Sequence, residues 1–287
     1  MILLSFGHGY SAEALERLLI PKGWEVIGTT RSHDKAAAMT ARGVTARLFP
    51  GDDLTRDLAR CTHILISAGP GDDGDPVLAA LHAQLATVAG GKVWIGYLST
   101  TGVYGDHAGD WVTEDTPLAP STTRGQRRVE AEAAWRAFAT ETGAPVHIFR
   151  LAGIYGPGRG PFAKLRDGTA RRIIKPGQVF SRIHVDDIAQ VLAASMMHPH
   201  PGGIYNVCDN DPAPPQDVIA HAAELLGLPV PPAVPFDQAA LSPMARSFYA
   251  ESKRVDNSRI IQELGIELLY PDYRSGLAQL LVAEDHG

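Results

Sequence analysis

The stretch from Met1 to Leu19 limits the fold more than any other. An apolar run of strand length, Met1-Ile2-Leu3-Leu4-Ser5-Phe6, stops at Gly7, and a pattern of helical period (Ala12, Leu15, Leu18, Leu19) starts just after Gly9. That order predicts a buried strand, a tight turn and a helix. The turn reads Gly7-x-Gly9-x-x-Ala12, the form a dinucleotide-binding turn takes when Ala is the third small residue. Gly7 lets the chain turn sharply, Gly9 keeps a Cβ away from a pyrophosphate, and Ala12 lets helix and strand pack closely. N–H groups at the helix start, on Tyr10, Ser11 and Ala12, are then expected to hold the phosphates, aided by the helix dipole.

Past Pro21-Lys22-Gly23, the segment Trp24–Thr30 reads as a second strand, with Arg31 directly after it. An acid there would bond the adenosine ribose, whereas an Arg suits a 2′-phosphate. Thr30-Arg31-Ser32 holds no acid, so NADP is expected in preference to NAD. A helix over about Asp34–Arg42, a strand over Val44–Phe49, a turn at Pro50–Asp53 and a strand over His63–Ser67 continue the alternation. The last of these runs into Ser67-Ala68-Gly69, whose small residues let backbone pass close to a ligand. Asp72, Asp73 and Asp75 precede a helix over Pro76–Val88 and read as a helix-start charge cluster, because their spacing does not match a calcium loop. A strand from Lys92 to Leu98 delivers Ser99, Thr100 and Tyr104 to the same sheet edge, followed by a helix over Thr123–Thr142 and a strand over Val146–Leu151.

The chain of 287 residues is 45% hydrophobic, enough for an ordinary globular core. A net charge of -6 and a pI near 6.0 disfavour nucleic acid or an anionic membrane as partner, since either wants a clustered basic surface. Cys61 and Cys208, far apart, are expected to be free thiols in a reducing compartment. With no leader-like start and no run of about 18 apolar residues, the expected location is cytoplasmic. His184 beside Asp186 and Asp187 makes a poor ligand set, so no metal is expected.

Taken together, several segments resemble the extended-type short-chain dehydrogenase/reductases, the NAD(P)-dependent epimerase/dehydratase family, especially its atypical members. They are the glycine turn, Leu98-Ser99-Thr100-Thr101-Gly102-Val103-Tyr104-Gly105, Arg150 to Gly158, Ile183-His184-Val185-Asp186-Asp187-Ile188-Ala189, and Gly203-Ile204-Tyr205-Asn206-Val207. The resemblance implies an α/β fold: a Rossmann-type doubly wound parallel sheet over 1–160 and 183–208, with a small C-terminal substrate lobe from 161–182 and 209–287. It also implies a small carbonyl, alcohol or sugar-type substrate, and allows a homodimer through helices on one sheet face.

In that family a Ser or Thr, a Tyr and a Lys work together, and Thr100 stands where the Ser or Thr belongs. The family's Y-G-x-x-K-x-x-x-E, however, is here Arg124-Gly125-Gln126-Arg127-Arg128-Val129-Glu130-Ala131-Glu132. Arg124 takes the Tyr place and Arg128 the Lys place. A guanidinium stays protonated at any working pH, so Arg124 attracts negative charge but cannot be the general acid or base. Two readings follow. In one, the protein is an enzyme whose proton donor has moved, Tyr104 being the nearest candidate, with Arg124 stabilising an oxyanion and Arg128 bonding a ribose. In the other it is a non-catalytic NADP-binding sensor. Arg159 and Arg182 are expected to anchor an anionic substrate.

Overall fold

The computed structural model describes residues 1–90 and 93–285. Seven parallel strands form the central sheet: β1 (Ile2–Phe6), β2 (Glu25–Thr30), β3 (Thr45–Leu48), β4 (His63–Ile66), β5 (Trp94–Thr100), β6 (Val146–Leu151) and β7 (Ile204–Val207). Their spatial order is β7-β6-β5-β4-β1-β2-β3. Leu3 pairs with Val26 on one side and with His63 on the other, so the order reverses at β1 and β4. In open sheets of this kind the ligand crevice lies at the carboxyl ends of the strands where the order reverses.

Both faces of the sheet are covered, which is why central strands such as β1 and β4 read as near-continuous apolar runs. Successive side chains of a strand point to opposite faces: Leu3 joins a core with Leu15 and Leu192, while Leu4 and Phe6 join another with Leu85, Trp135 and Phe138. Each such fully buried side chain contributes roughly 1.5–3 kcal/mol. The covering helices are Tyr10–Leu19 and Val185–Met197 on the first face, and Pro76–Val88 and Thr123–Thr142 on the second. Pro76–Val88 and Thr123–Thr142 have the bounds expected from the sequence, each opened by a side-chain cap, Asp75 and Thr122 respectively. Asp75 is thus the working member of the expected charge cluster.

A helix over Thr55–Arg60 precedes β4, where the sequence pattern offered no helix. Lys92, the expected start of the fifth strand, lies outside the described residues. A third apolar core, with Tyr155, Phe162, Val218, Tyr273 and Leu277, belongs to the later part of the chain. Two short parallel pairs stitch this part to the rest, Gly153–Tyr155 with Arg182–His184 and Trp111–Val112 with Arg254–Val255, and a third, Arg172–Ile174 with Ala233–Pro235, lies within it. Val255, Ile260 and Leu264 return to the first sheet-face core, although they follow Asp209 in the chain. Among the described residues no helix is long and apolar enough to cross a membrane.

Candidate active site

The glycine turn sits where β1 and β4 diverge. Gly7 has φ +71, and a Cβ on it would stand 2.7 Å from Ala68 N. Glycine is therefore required there by the backbone itself. Thr29 fixes the turn: its Oγ1 accepts from Gly7 N at 3.0 Å and its carbonyl accepts from His8 N at 2.8 Å. Beneath the turn His8 Nε2 lies 2.6 Å from Glu16 Oε2, and Arg42 Nε donates to Glu16 Oε1 at 2.6 Å. Burial by itself would raise the Glu16 carboxyl, but hydrogen bonds from His8 and Arg42 outweigh it and hold it below the usual range.

Gly9 is different. It caps the Tyr10–Leu19 helix in extended backbone (φ -134), and a Cβ built on it would meet only Gly7 O, at 3.7 Å. The fold leaves room there for a side chain, so the space in front of the first-turn N–H groups is free for a phosphate. That space, together with Ala12, which is fully buried against the sheet, fits a dinucleotide's pyrophosphate. At the end of β2, Arg31 is exposed and makes no hydrogen bond or ion pair among the described residues. Ser32 beside it caps the His33–Ala41 helix, and its N–H donates to Thr30 Oγ1 at 3.2 Å. A free guanidinium next to a helix start suits a phosphate.

At the end of β5, Thr100 Oγ1 accepts from Gly102 N at 3.2 Å and stays partly exposed. Ser99, its neighbour, points to the opposite face. Its Oγ donates to Glu132 Oε1 at 2.5 Å inside the protein, which removes its side chain from cofactor contact and corrects the expectation for it. Tyr104 is corrected too. It is fully buried, its hydroxyl donates to Asn206 Oδ1 at 2.7 Å, and it accepts from Arg150 Nη1 at 2.9 Å. Burial pushes the phenol up to about 12 against the pull of the Arg150 guanidinium. A hydroxyl so enclosed does not reach a substrate.

The residues that hold these two were not singled out from the sequence. Arg150 Nη2 donates to Glu132 Oε2 at 2.8 Å, and Asn206 N donates to Glu114 Oε1 at 2.8 Å. The visible signal was Arg150 itself, a permanent charge in the buried strand Val146–Leu151.

Arg124 and Arg128 stand side by side near the start of the Thr123–Thr142 helix. With Arg127, Gly69 and Pro70 they line a hollow of about 140 Å³. Arg128 Nη1 donates to Leu98 O at 2.5 Å and to Tyr97 OH at 3.1 Å, and Arg127 pairs with Asp72. Arg124 is exposed and has no partner among the described residues. Gly125 lets this helix start dock on the Thr100–Gly102 turn, since a Cβ there would stand 2.8 Å from Gly102 O.

Arg159 and Arg182 lie elsewhere, in a cavity of about 440 Å³ walled by Tyr155, Lys164, Val218 and Tyr273 among others. No residue lines both hollows. Tyr10 OH donates to Pro157 O at 2.9 Å, and the Arg159 guanidinium lies 4.2 Å from the Tyr10 ring centroid. His184 caps the helix that follows it, accepting from Asp186 N at 3.2 Å, and Asp187 accepts from Leu269 N and Tyr270 N.

A parallel sheet of this order, with a glycine turn at its switch point, defines a Rossmann-type nucleotide-binding protein. The chain belongs to the NAD dependent epimerase/dehydratase family, whose sequence model matches residues 2–208. It is 31% identical over 282 residues to protein YeeZ of Escherichia coli (strain K12), covering 93% of this chain and 95% of that protein. A functionally unknown conserved protein from Silicibacter pomeroyi DSS superposes with a TM-score of 0.93 at 60% identity, over 99% of each chain. The dTDP-glucose 4,6-dehydratase of Bacillus anthracis str. Ames, solved with NAD, shares the fold, with a TM-score of 0.80 at 16% identity over 100% of this chain and 97% of that one.

Proposed function

We propose that this protein is an NADP-dependent oxidoreductase of the family, acting on a small carbonyl or alcohol at the edge formed by Thr100, Arg124 and Arg128. The observation that carries this reading is the Arg124 guanidinium, without a partner among the described residues and held beside the Thr100 turn by the close seat of Gly125. The first-turn N–H groups from Tyr10 to Ala12 would hold the pyrophosphate, Thr30, Arg31 and Ser32 the 2′-phosphate, Ser67 to Gly69 would pass along the cofactor by their backbone, and Arg128 would bond the nicotinamide ribose. A nucleotide held by these residues would supply or accept the hydride. Thr100 Oγ1 orients the substrate oxygen. Arg124 keeps its own proton and stabilises the negative charge that grows on that oxygen. The proton that completes a carbonyl reduction comes from water, which reaches the exposed Arg124.

The enclosed Tyr104 and the permanently charged Arg124 also favour a second reading, an NADP-binding sensor without turnover. NADPH oxidation with a panel of aldehydes, ketones and sugar nucleotides separates the two. Turnover that falls about 100-fold in Arg124→Ala, the order of one oxyanion donor, with cofactor affinity unchanged, is the result expected of the enzyme. Binding of NADPH with no oxidation across the panel contradicts it.

A further inference from the structure

The larger cavity, in the later part of the chain, plays no part in that proposal. Its charged lining is entirely cationic: Arg159, Lys164 and Arg182, with no acidic side chain among the residues that form it. Arg182 is the most committed of the three. Its Nη1 donates to Phe180 O at 2.8 Å and Ala213 O at 3.0 Å, which leaves further N–H groups of the fork to spare. No carboxylate among the described residues lies within ion-pair distance of it. Burial pulls its pKa down, with Asp209 only partly opposing, and Asp209 is itself pushed up to about 8 by burial. A cation kept in a low dielectric without a counter-ion gains more than an exposed one from an incoming anion. The Arg159 guanidinium lies over the Tyr10 ring, and neither it nor Lys164 makes an ion pair among the described residues. The remaining walls, Ile154, Pro161, Val218 and Leu277, are apolar. A volume of about 440 Å³ falls in the range of small-ligand sites.

We infer that this cavity binds a small organic anion, a carboxylate or phosphate on an apolar or aromatic body, with Arg159, Lys164 and Arg182 facing the anion and Val218 and Leu277 facing the body. The site is separate from the Arg124–Arg128 hollow and does not depend on how that hollow is used.

Calorimetry on the intact protein tests this with phenylphosphate, benzoate and neutral benzyl alcohol, each titrated with and without saturating NADPH. The expected result is one site per chain for at least one of the two anions, none for benzyl alcohol, and an affinity at least 10-fold lower in Lys164→Gln and in Arg159→Gln. Both of these positions are exposed, and unchanged melting temperatures show that each variant is folded. The stronger of the two anions tells phosphate from carboxylate. Absence of heat with both anions overturns the inference. So does equal affinity in the variants, or binding that vanishes when NADPH is present, which would place the anion at the glycine turn.

Discussion

The Tyr104 hydroxyl lies 2.9 Å from Arg150 Nη1, and both side chains are shut inside the protein. This contact continues through Glu132 to Ser99 on one side and through Asn206 to Glu114 on the other. A phenol placed so serves the shape of the site, not its proton transfer. Tyr104→Phe should therefore cost about 1–3 kcal/mol, the penalty for leaving buried polar partners unsatisfied, while NADPH affinity changes less than about twofold. Urea unfolding and calorimetry on the same variant check both halves.

Glu132 carries more. Removing one partner of a buried ion pair leaves the other charge uncompensated, at a cost of about 3–5 kcal/mol. Glu132→Ala is predicted to lose that much by denaturant unfolding. The double variant Glu132→Leu with Arg150→Met should recover a large part of it, because an apolar pair of similar size replaces the buried charges.

His147 sets a pH dependence. It stacks on Trp94, and burial lowers its pKa to about 4, with hydrogen bonds to backbone carbonyls opposing. Unfolded, the ring takes a proton at about pH 6.5. Between those values the unfolded chain binds more protons than the folded one, so stability is fully present above about pH 6.5 and declines as pH falls toward 4. This one group contributes at most about 1.4 kcal/mol per pH unit. Unfolding free energies measured from pH 7 to 4 should show a shallower decline in His147→Leu than in the parent.

The role proposed for Arg31 is to select the phosphorylated nucleotide. A charge-assisted bond to a phosphate contributes roughly 1.5–3 kcal/mol. Arg31→Ala should then weaken NADPH by more than 10-fold and leave NADH nearly unchanged, as read from the two dissociation constants.

The frame of the fold was open to reading because its signals are local. The run to Phe6, the stop at Gly7 and the period from Ala12 occupy adjacent residues, and the capping residues Asp75 and Thr122 stand directly before the helices they open. The Thr55–Arg60 helix escaped because it has a single buried apolar anchor, Leu58, and no side-chain cap at Leu54. Ser99 could have been told from Thr100 by strand alternation alone, since adjacent residues face opposite sides. Tyr104 could not. Its enclosure depends on Arg150 and on Asn206, which is 102 positions further along, and only the pairing of β5, β6 and β7 brings them together. The same holds for Arg159 and Arg182, which folding gathers into one cavity well away from Arg124 in the chain.

Calorimetric titration of NADPH into the parent protein and into Gly9→Val is the most direct test of the dinucleotide turn. The fold tolerates a side chain at this position, where a Cβ meets nothing closer than 3.7 Å, and the poorer helix cap costs only about 1 kcal/mol. The predicted result is NADPH binding by the parent, at least 100-fold weaker binding by the variant, and melting temperatures within a few degrees. Equal binding by parent and variant, or no heat from the parent with either nicotinamide nucleotide, would contradict it.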